Sequence, residues 1–275
     1  MLASSNKNAA MGKERRRAGK ASSGADAGTP PTAEEAVQYA AKDRLLGGRK
    51  GKAVTYGDPL WQFPVEARGN ADYPVEVVSV GAFEALVQTA GAAGGPPAVL
   101  DFASDSNPGG SWRSKQQGTQ EEALCRASTL GLKLEAHFAE VGGGGYMPGK
   151  ESCVYVPEVA IFWAKGSGWL VPAIPCAVVA AALRDVNGDV DALRRKVRSV
   201  LVTAAAHGHR RLVLGAWGCG AFGNDPALVA AAFRDEVRAA AARGDVEHVV
   251  FAMGDSGAGR RNAALFREAF GLPAR

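Results

Sequence analysis

Apolar positions along this chain fall into short runs and helical stripes. Ala98–Ala103 is a short apolar run, the pattern of a buried strand, and it leads straight into a loop at Asn107. Val75–Val80, Ala173–Ala181, Arg211–Ala216 and Val249–Met253 predict further strands, and Cys153–Phe162 a strand and turn. Helical spacing marks Ala33–Leu46, Ala82–Ala90, Val190–Ala206, Ala227–Arg243 and Arg260–Phe270. A helix from Gln120 would carry Ala123, Leu124, Ala127, Leu130 and Leu134 on one face. Ala227–Arg243 would turn Leu228, Ala232, Phe233, Val237 and Ala240 inward, with Gly244 as its C-cap. Loops are expected at 47–52 and 91–97, and Gly142–Gly145 reads as a flexible connector. Strands alternating with helices predict an α/β domain with helices on both sheet faces. No internal repeat is visible.

The chain has 275 residues, enough for one large domain or two small ones. The first 31 residues lack periodicity and end at Thr29-Pro-Pro-Thr32, so they read as a disordered basic tail, leaving 32–275 as a single domain. Much of the net charge of +4 sits in that tail, on Lys7, Lys13, Arg15, Arg16, Arg17 and Lys20 against Glu14. The tail could make weak nucleic-acid contact or carry a targeting signal. The remainder is near neutral and does not read as a nucleic-acid surface. Cys125, Cys153, Cys176 and Cys219 show no CxxC spacing and no nearby histidine pair, which argues against zinc. Four thiols without a signal peptide fit a reducing compartment, cytoplasmic or nuclear. No apolar run approaches the roughly 20 residues of a membrane span, so no membrane partner is expected. No cofactor or metal is called for, and the chain is expected to be a monomer.

Candidate chemistry gathers in two loops. The first runs Asn107-Pro-Gly-Gly-Ser-Trp-Arg and, after Thr119, opens a helix at Gln120-Glu121-Glu122. Glycines allow close backbone approach to an anion, and adjacent glutamates are a candidate acid/base pair. Thr119 to Glu122 also fits a capping box, a purely structural use of the same carboxylate. A helix start favours carboxylate, whereas burial and a neighbouring Glu121 favour the protonated acid. The second loop, Trp217-Gly-Cys-Gly-Ala-Phe-Gly-Asn224, again joins a strand to a helix, with Asp225-Pro226 as helix-start residues. Two such turns at strand ends, each with a helix N-terminus behind it, suit a phosphate or diphosphate. The second loop lacks the Lys-Ser/Thr ending of a nucleotide triphosphatase loop and the GxGxxG spacing. Phe222 could stack on a ribose or base, or anchor the loop. Trp112 and Trp217 are expected to pack, and His207 and His209 to lie at the surface. Cys219 has no histidine nearby to activate it as a nucleophile.

Asn107-Pro-Gly-Gly with Gln120-Glu-Glu122 resembles the signature of the microbial-type poly(ADP-ribose) glycohydrolases, a branch of the macrodomain superfamily. The likeness continues through Leu124-Cys-Arg-Ala-Ser-Thr-Leu130, Val154-Tyr-Val-Pro-Glu158, Leu212–Pro226 and Val250–Asp255, and covers roughly residues 75–270. The resemblance implies a three-layer α/β/α macrodomain-like fold with a mixed central sheet and an ADP-ribose cleft at the sheet's carboxyl edge. Its implied substrate is ADP-ribose polymer or ADP-ribosylated protein. By the same resemblance, Gly109 and Gly110 wrap the diphosphate, opposed by Gly218, Cys219, Gly220 and Ala221. Phe222 positions the terminal ribose, Asn107 bonds the distal ribose, Glu122 is the catalytic acid and Glu121 fixes ribose hydroxyls. Gln120 belongs to the same signature and counts among the substrate-binding residues. The family's loop usually has a third glycine where this chain has Ser111, which would crowd the diphosphate or donate to it. The alternative reading is therefore a non-catalytic ADP-ribose reader, or a hydrolase of a related ADP-ribosyl substrate. The chain does not show the large accessory domain of the animal enzymes, which implies attack at chain ends.

Overall fold

The computed structural model describes residues 28–42, 51–56, 73–89, 95–114 and 118–274. Most of the expected tail, and parts of the loops at 47–52 and 91–97, lie outside the described residues. Seven strands form one sheet: β1 (Val54–Tyr56), β2 (Val75–Val78), β3 (Ala98–Phe102), β4 (Cys153–Ala164), β5 (Gly168–Ala181), β6 (Arg211–Leu214) and β7 (His248–Ala252). Their spatial order is β1-β4-β5-β3-β6-β7-β2. The strands β5, β3, β6, β7 and β2 run parallel, while β4 is antiparallel to both β1 and β5. The mixed sheet is thus as anticipated, but the short edge strand β1 and the length of the β4–β5 hairpin are not legible in the runs.

Helices cover both faces. On one side lie α1 (Ala33–Lys42), α2 (Ala82–Thr89), α3 (Gln120–Ala127), α4 (Leu130–Val141) and the single turn α5 (Gly143–Tyr146). Their core holds Ala36, Leu86, Leu124, Leu134 and Tyr146. On the other side lie α6 (Val190–Ala206), α7 (Pro226–Arg243) and α8 (Gly257–Phe270), whose core holds Val197, Phe233 and Phe266 against Phe251 of β7. Alternate residues of β3 serve opposite cores: Leu100 faces α6 and α7, and Val99 faces α2 and α3. That two-sided burial is why parallel strands read as near-continuous apolar runs. Among the described residues, no helix is long and apolar enough to cross a membrane.

Four expectations need correction. The helix from Gln120 is two helices, because Ser128 is extended and bridges Ile161 while Thr129 accepts and donates across to Ala160. Side chains of this type compete with the helical ladder by bonding nearby backbone; Ser128 Oγ donates to Leu124 O and accepts from Leu130 N. Ala123 faces outward, and so does Leu228, at 37% exposure, beside the start of α7. Gly143–Tyr146 is a helical turn, anchored by buried Tyr146. His209 is buried and bonded to Tyr155 Oη at 2.8 Å, and His207 stacks on the Tyr155 ring. Gly244 does cap α7 in the left-handed conformation, with φ of 80°.

Candidate active site

β3 pairs with β5 along its full length but with β6 only at Ala98 and Val99. Beyond Val99 the two strands part, and the side chain of Gln120 fills the vacated edge. Its Oε1 accepts from Phe102 N and its Nε2 donates to Leu100 O, both at 2.8 Å. The amide thus replaces a missing strand neighbour, satisfying backbone groups that would otherwise be buried unpaired. Gln120 is therefore engaged by β3, and it pins the first turn of α3 at the split between strands.

That pin sets the next two residues. Glu121 is 2% exposed and accepts from Ser104 N and Gly109 N, each at 2.9 Å. Glu122 accepts from Ser111 N at 3.0 Å through one oxygen. Its other oxygen accepts from Thr119 N at 2.8 Å and Thr119 Oγ1 at 2.6 Å. Glu122 therefore does cap its own helix, and it also holds the 107–114 loop. Burial pushes its carboxyl up, but the donors at Thr119, Ser111 and Gly118 together outweigh burial and hold it below the ordinary range. Burial pushes Glu121 well above that range, helped by the neighbouring Asp101 charge, with the two backbone donors opposing. Burial thus acts on two neighbouring carboxyls with opposite net outcome, upward for Glu121 and, once the donors are counted, downward for Glu122.

The glycines owe their identity to this packing. Gly110 has φ of 59°, and a Cβ there would lie 2.8 Å from Glu122 Oε1 and 3.0 Å from Glu121 Oε2. Gly109 has φ of 78°, and its Cβ would meet the Trp112 ring at 2.5 Å. Ser111 is exposed and outside the left-handed region, so that position does not demand glycine. Asn107 is exposed, and its amide closes the loop by donating to Gly110 O at 2.5 Å. Trp112 is buried with Nε1 on Glu135, and Arg113 lies over its ring while forking onto the same carboxylate. Arg126 ties α3 to the loop through Trp112 O.

The second loop faces the first across the β3–β6 split. Gly218 and Gly223 have φ of 73° and 71°. Among the described residues, the N–H groups of Gly220, Ala221 and Phe222 have no acceptor, three successive donors in a turn. Such a concave run of donors suits an anion. Asn224, buried behind the loop, donates to Leu183 O, Arg184 O and Gly218 O and accepts from Val186 N. The helix starts themselves are occupied: Asp225 accepts from Ala227 N at 2.8 Å, and Glu122 reaches back to Thr119. An anion would therefore meet loop amides here, and the expected helix N-termini are already capped. Phe222 is half-buried at the loop tip. Cys219 donates to Trp217 O, and burial pushes its thiol up to about 12, so it is a poor nucleophile at neutral pH. Trp217 is fully buried, its Nε1 on Ala181 O.

Asp101 is a site residue that neither loop motif marks. It is fully buried on β3, and neither carboxylate oxygen has a partner among the described residues. Burial, then the Glu122 charge, pushes its carboxyl up. The available signal was a carboxylate inside an apolar run, Ala98-Val-Leu-Asp-Phe. Among the described residues no three His, Cys, Asp or Glu side chains converge as a metal would need.

The model of the microbial-type PARG catalytic domain, PARG being poly(ADP-ribose) glycohydrolase, matches residues 32–164. A solved glycohydrolase from Thermomonospora curvata is 31% identical with a TM-score of 0.71, over 86% of this chain and 97% of its own. The same bacterium's enzyme bound to the inhibitor ADP-HPD is 29% identical with a TM-score of 0.67, over the same shares. The Deinococcus radiodurans enzyme in complex with ADP-ribose is 32% identical with a TM-score of 0.60, over 74% of this chain and 86% of that one. A comparison with curated proteins finds no match. With both loops, the paired glutamates and the sheet that carries them in place, this chain belongs to the microbial-type poly(ADP-ribose) glycohydrolase family.

Proposed function

We propose that the protein hydrolyses the ribose–ribose bonds of poly(ADP-ribose), with Glu122 as acid and the two loops holding the diphosphate. The observation that carries this reading is the Glu122 carboxylate, seated between Ser111 N and Thr119 at the mouth of a loop that three free amides face. In the reaction the bond from C1″ to the bridging oxygen breaks, and Glu122 gives its proton to that oxygen. The cation left at C1″ takes up water, whose proton returns to Glu122. Glu121, anchored to Ser104 and Gly109, keeps the loop in register rather than reaching the ribose.

A proton donor must first be protonated, and without ligand Glu122 is held below the ordinary range. A bound diphosphate places negative charge beside it, which raises a carboxyl pKa. The substrate thereby completes its own acid. Binding of ADP-ribose near pH 6 should then take up protons, measurable by calorimetry in buffers of different ionisation enthalpy. Glu122→Gln should abolish that uptake, and uptake retained in the variant would reject this assignment.

The reader alternative rested on Ser111. That residue is exposed, its backbone N–H serves Glu122, and its conformation is open to any residue, so nothing at Ser111 favours it. The deciding experiment is release of ADP-ribose from polymer by wild type and Glu122→Gln. Loss of general acid catalysis is worth about 10²–10⁴-fold in rate, and unchanged release by the variant would sink the mechanism. Chain-end attack predicts ADP-ribose as the early product, whereas internal cuts would appear as oligomers.

A further inference from the structure

The loop that carries Asn107 also borders a second space. Asp105, one residue after the Ser104 amide that holds Glu121, lines a cavity of about 500 Å³ at the carboxyl end of β5. Its walls include the apolar side chains of Met147, Leu183 and Val186, and its polar lining mixes cations such as Lys150 and Arg184 with carboxylates such as Asp185 and Asp189. That volume and mixture are typical of a small-molecule site.

Its place in the sheet gives it a direction. The three free amides belong to the loop after β6, the glutamates to the element after β3, and the cavity to the end of β5, and these strands lie side by side in the order β6-β3-β5. A chain whose diphosphate sits at the β6 loop and whose scissile bond sits at Glu122 continues, in the same sense, toward the cavity. In poly(ADP-ribose) the departing oxygen is the 2′-hydroxyl of an adenosine ribose, so the first group beyond the bond is a nucleoside, and a diphosphate follows it.

We infer that this cavity receives the adenosine of the departing ADP-ribose unit, with Arg184 at its edge to take that unit's diphosphate; the inference rests on the glycohydrolase reading. Asp105 is what holds Arg184 there. The guanidinium gives Nε and one terminal nitrogen to the two Asp105 oxygens, and among the described residues its other terminal nitrogen has no acceptor. The Arg184 side chain is 67% exposed, so a phosphate reaches it without any charge being buried. With the fork taken by Asp105, the terminal nitrogen turned away from it is the group that can donate a charge-assisted hydrogen bond to a phosphate oxygen. Asn224 fixes the other end of the arrangement by bonding Arg184 O and Leu183 O from behind the diphosphate loop.

The test compares two substrates that share the bound unit and differ in what leaves. One is poly(ADP-ribose); the other is ADP-ribose joined at C1″ to a nitrophenol, which has no adenosine on the leaving side. Arg184→Ala should raise KM for polymer about five- to twentyfold and leave nitrophenol release and ADP-ribose affinity unchanged. Ala192→Trp, which fills the cavity from α6, should do the same without touching a charge. Equal effects on both substrates, or none on polymer, would overturn the inference. If wild type cleaved neither substrate, the glycohydrolase reading itself would fail instead.

Discussion

At the scale of single residues, the site is a set of steric and protonic constraints around two carboxylates. Gly110→Ala must place a methyl group within 3 Å of both glutamates from a left-handed backbone. A non-glycine residue held in such a conformation costs on the order of 1–3 kcal/mol, so this variant should melt measurably lower and release less ADP-ribose. Ser111→Gly should leave activity within about twofold, because position 111 already works through its backbone. Asp101 acts through pH. A carboxyl whose pKa is raised in the folded state, here to about 8, binds its proton more tightly folded than unfolded. Its stabilising contribution is full below the ordinary carboxylate range and is lost as pH rises through about 8. Wild type should therefore lose more melting temperature between pH 6 and pH 9 than Asp101→Asn. Parallel curves would show that Asp101 ionises in the folded protein without cost.

Among elements, the decisive event is the parting of β3 from β6, which opens the space that both loops enter. Gln120 closes the β3 side of the gap and Asn224 ties the β6 loop to the β5 end through Leu183 O and Arg184 O. Asn224→Ala would take away the side-chain partner of Leu183 O, Arg184 O and Val186 N, and a polar group left buried and unpaired costs about 1–3 kcal/mol. The variant should bind ADP-ribose more weakly by calorimetry, even where it remains folded. Much of this level was readable. The helices Val190–Ala206 and Pro226–Arg243 stand almost where their periodicity put them, because each buries one continuous stripe and starts on an aspartate cap. Leu124, Leu130 and Leu134 keep helical spacing across the break, so the stretch after Gln120 reads as one unbroken helix. The bridge from Ser128 to Ile161, a partner 33 residues away, and the bonds between Thr129 and Ala160 interrupt it.

For the whole molecule, we propose that the described residues from 32 onward form a single domain, because one sheet carries a core on each face. Val99 and Leu100 are neighbours on β3 yet serve opposite cores, so neither face can be lost alone. Thermal or urea unfolding should therefore give coincident transitions by tryptophan fluorescence and far-ultraviolet circular dichroism. Two separated transitions would count against one domain.

By itself the sequence determined the α/β class, most helices, and the two loops with their glutamates. Those features are local: periodicity, turn residues and capping act over a few positions, and a motif's order is its own signature. The tertiary structure alone decided why the motif has its composition. That Gly110 is glycine because two carboxylates lie above it, and that burial raises Glu121 while donors lower Glu122, depends on packing and on donors from Ser104, Ser111 and Thr119. So does the cavity that Asp105 and Arg184 share across 79 residues of chain. The Thr119–Glu122 capping box is local and legible in the residue order, whereas burial and the bonds from Ser104, Gly109 and Ser111 exist only once the chain is packed.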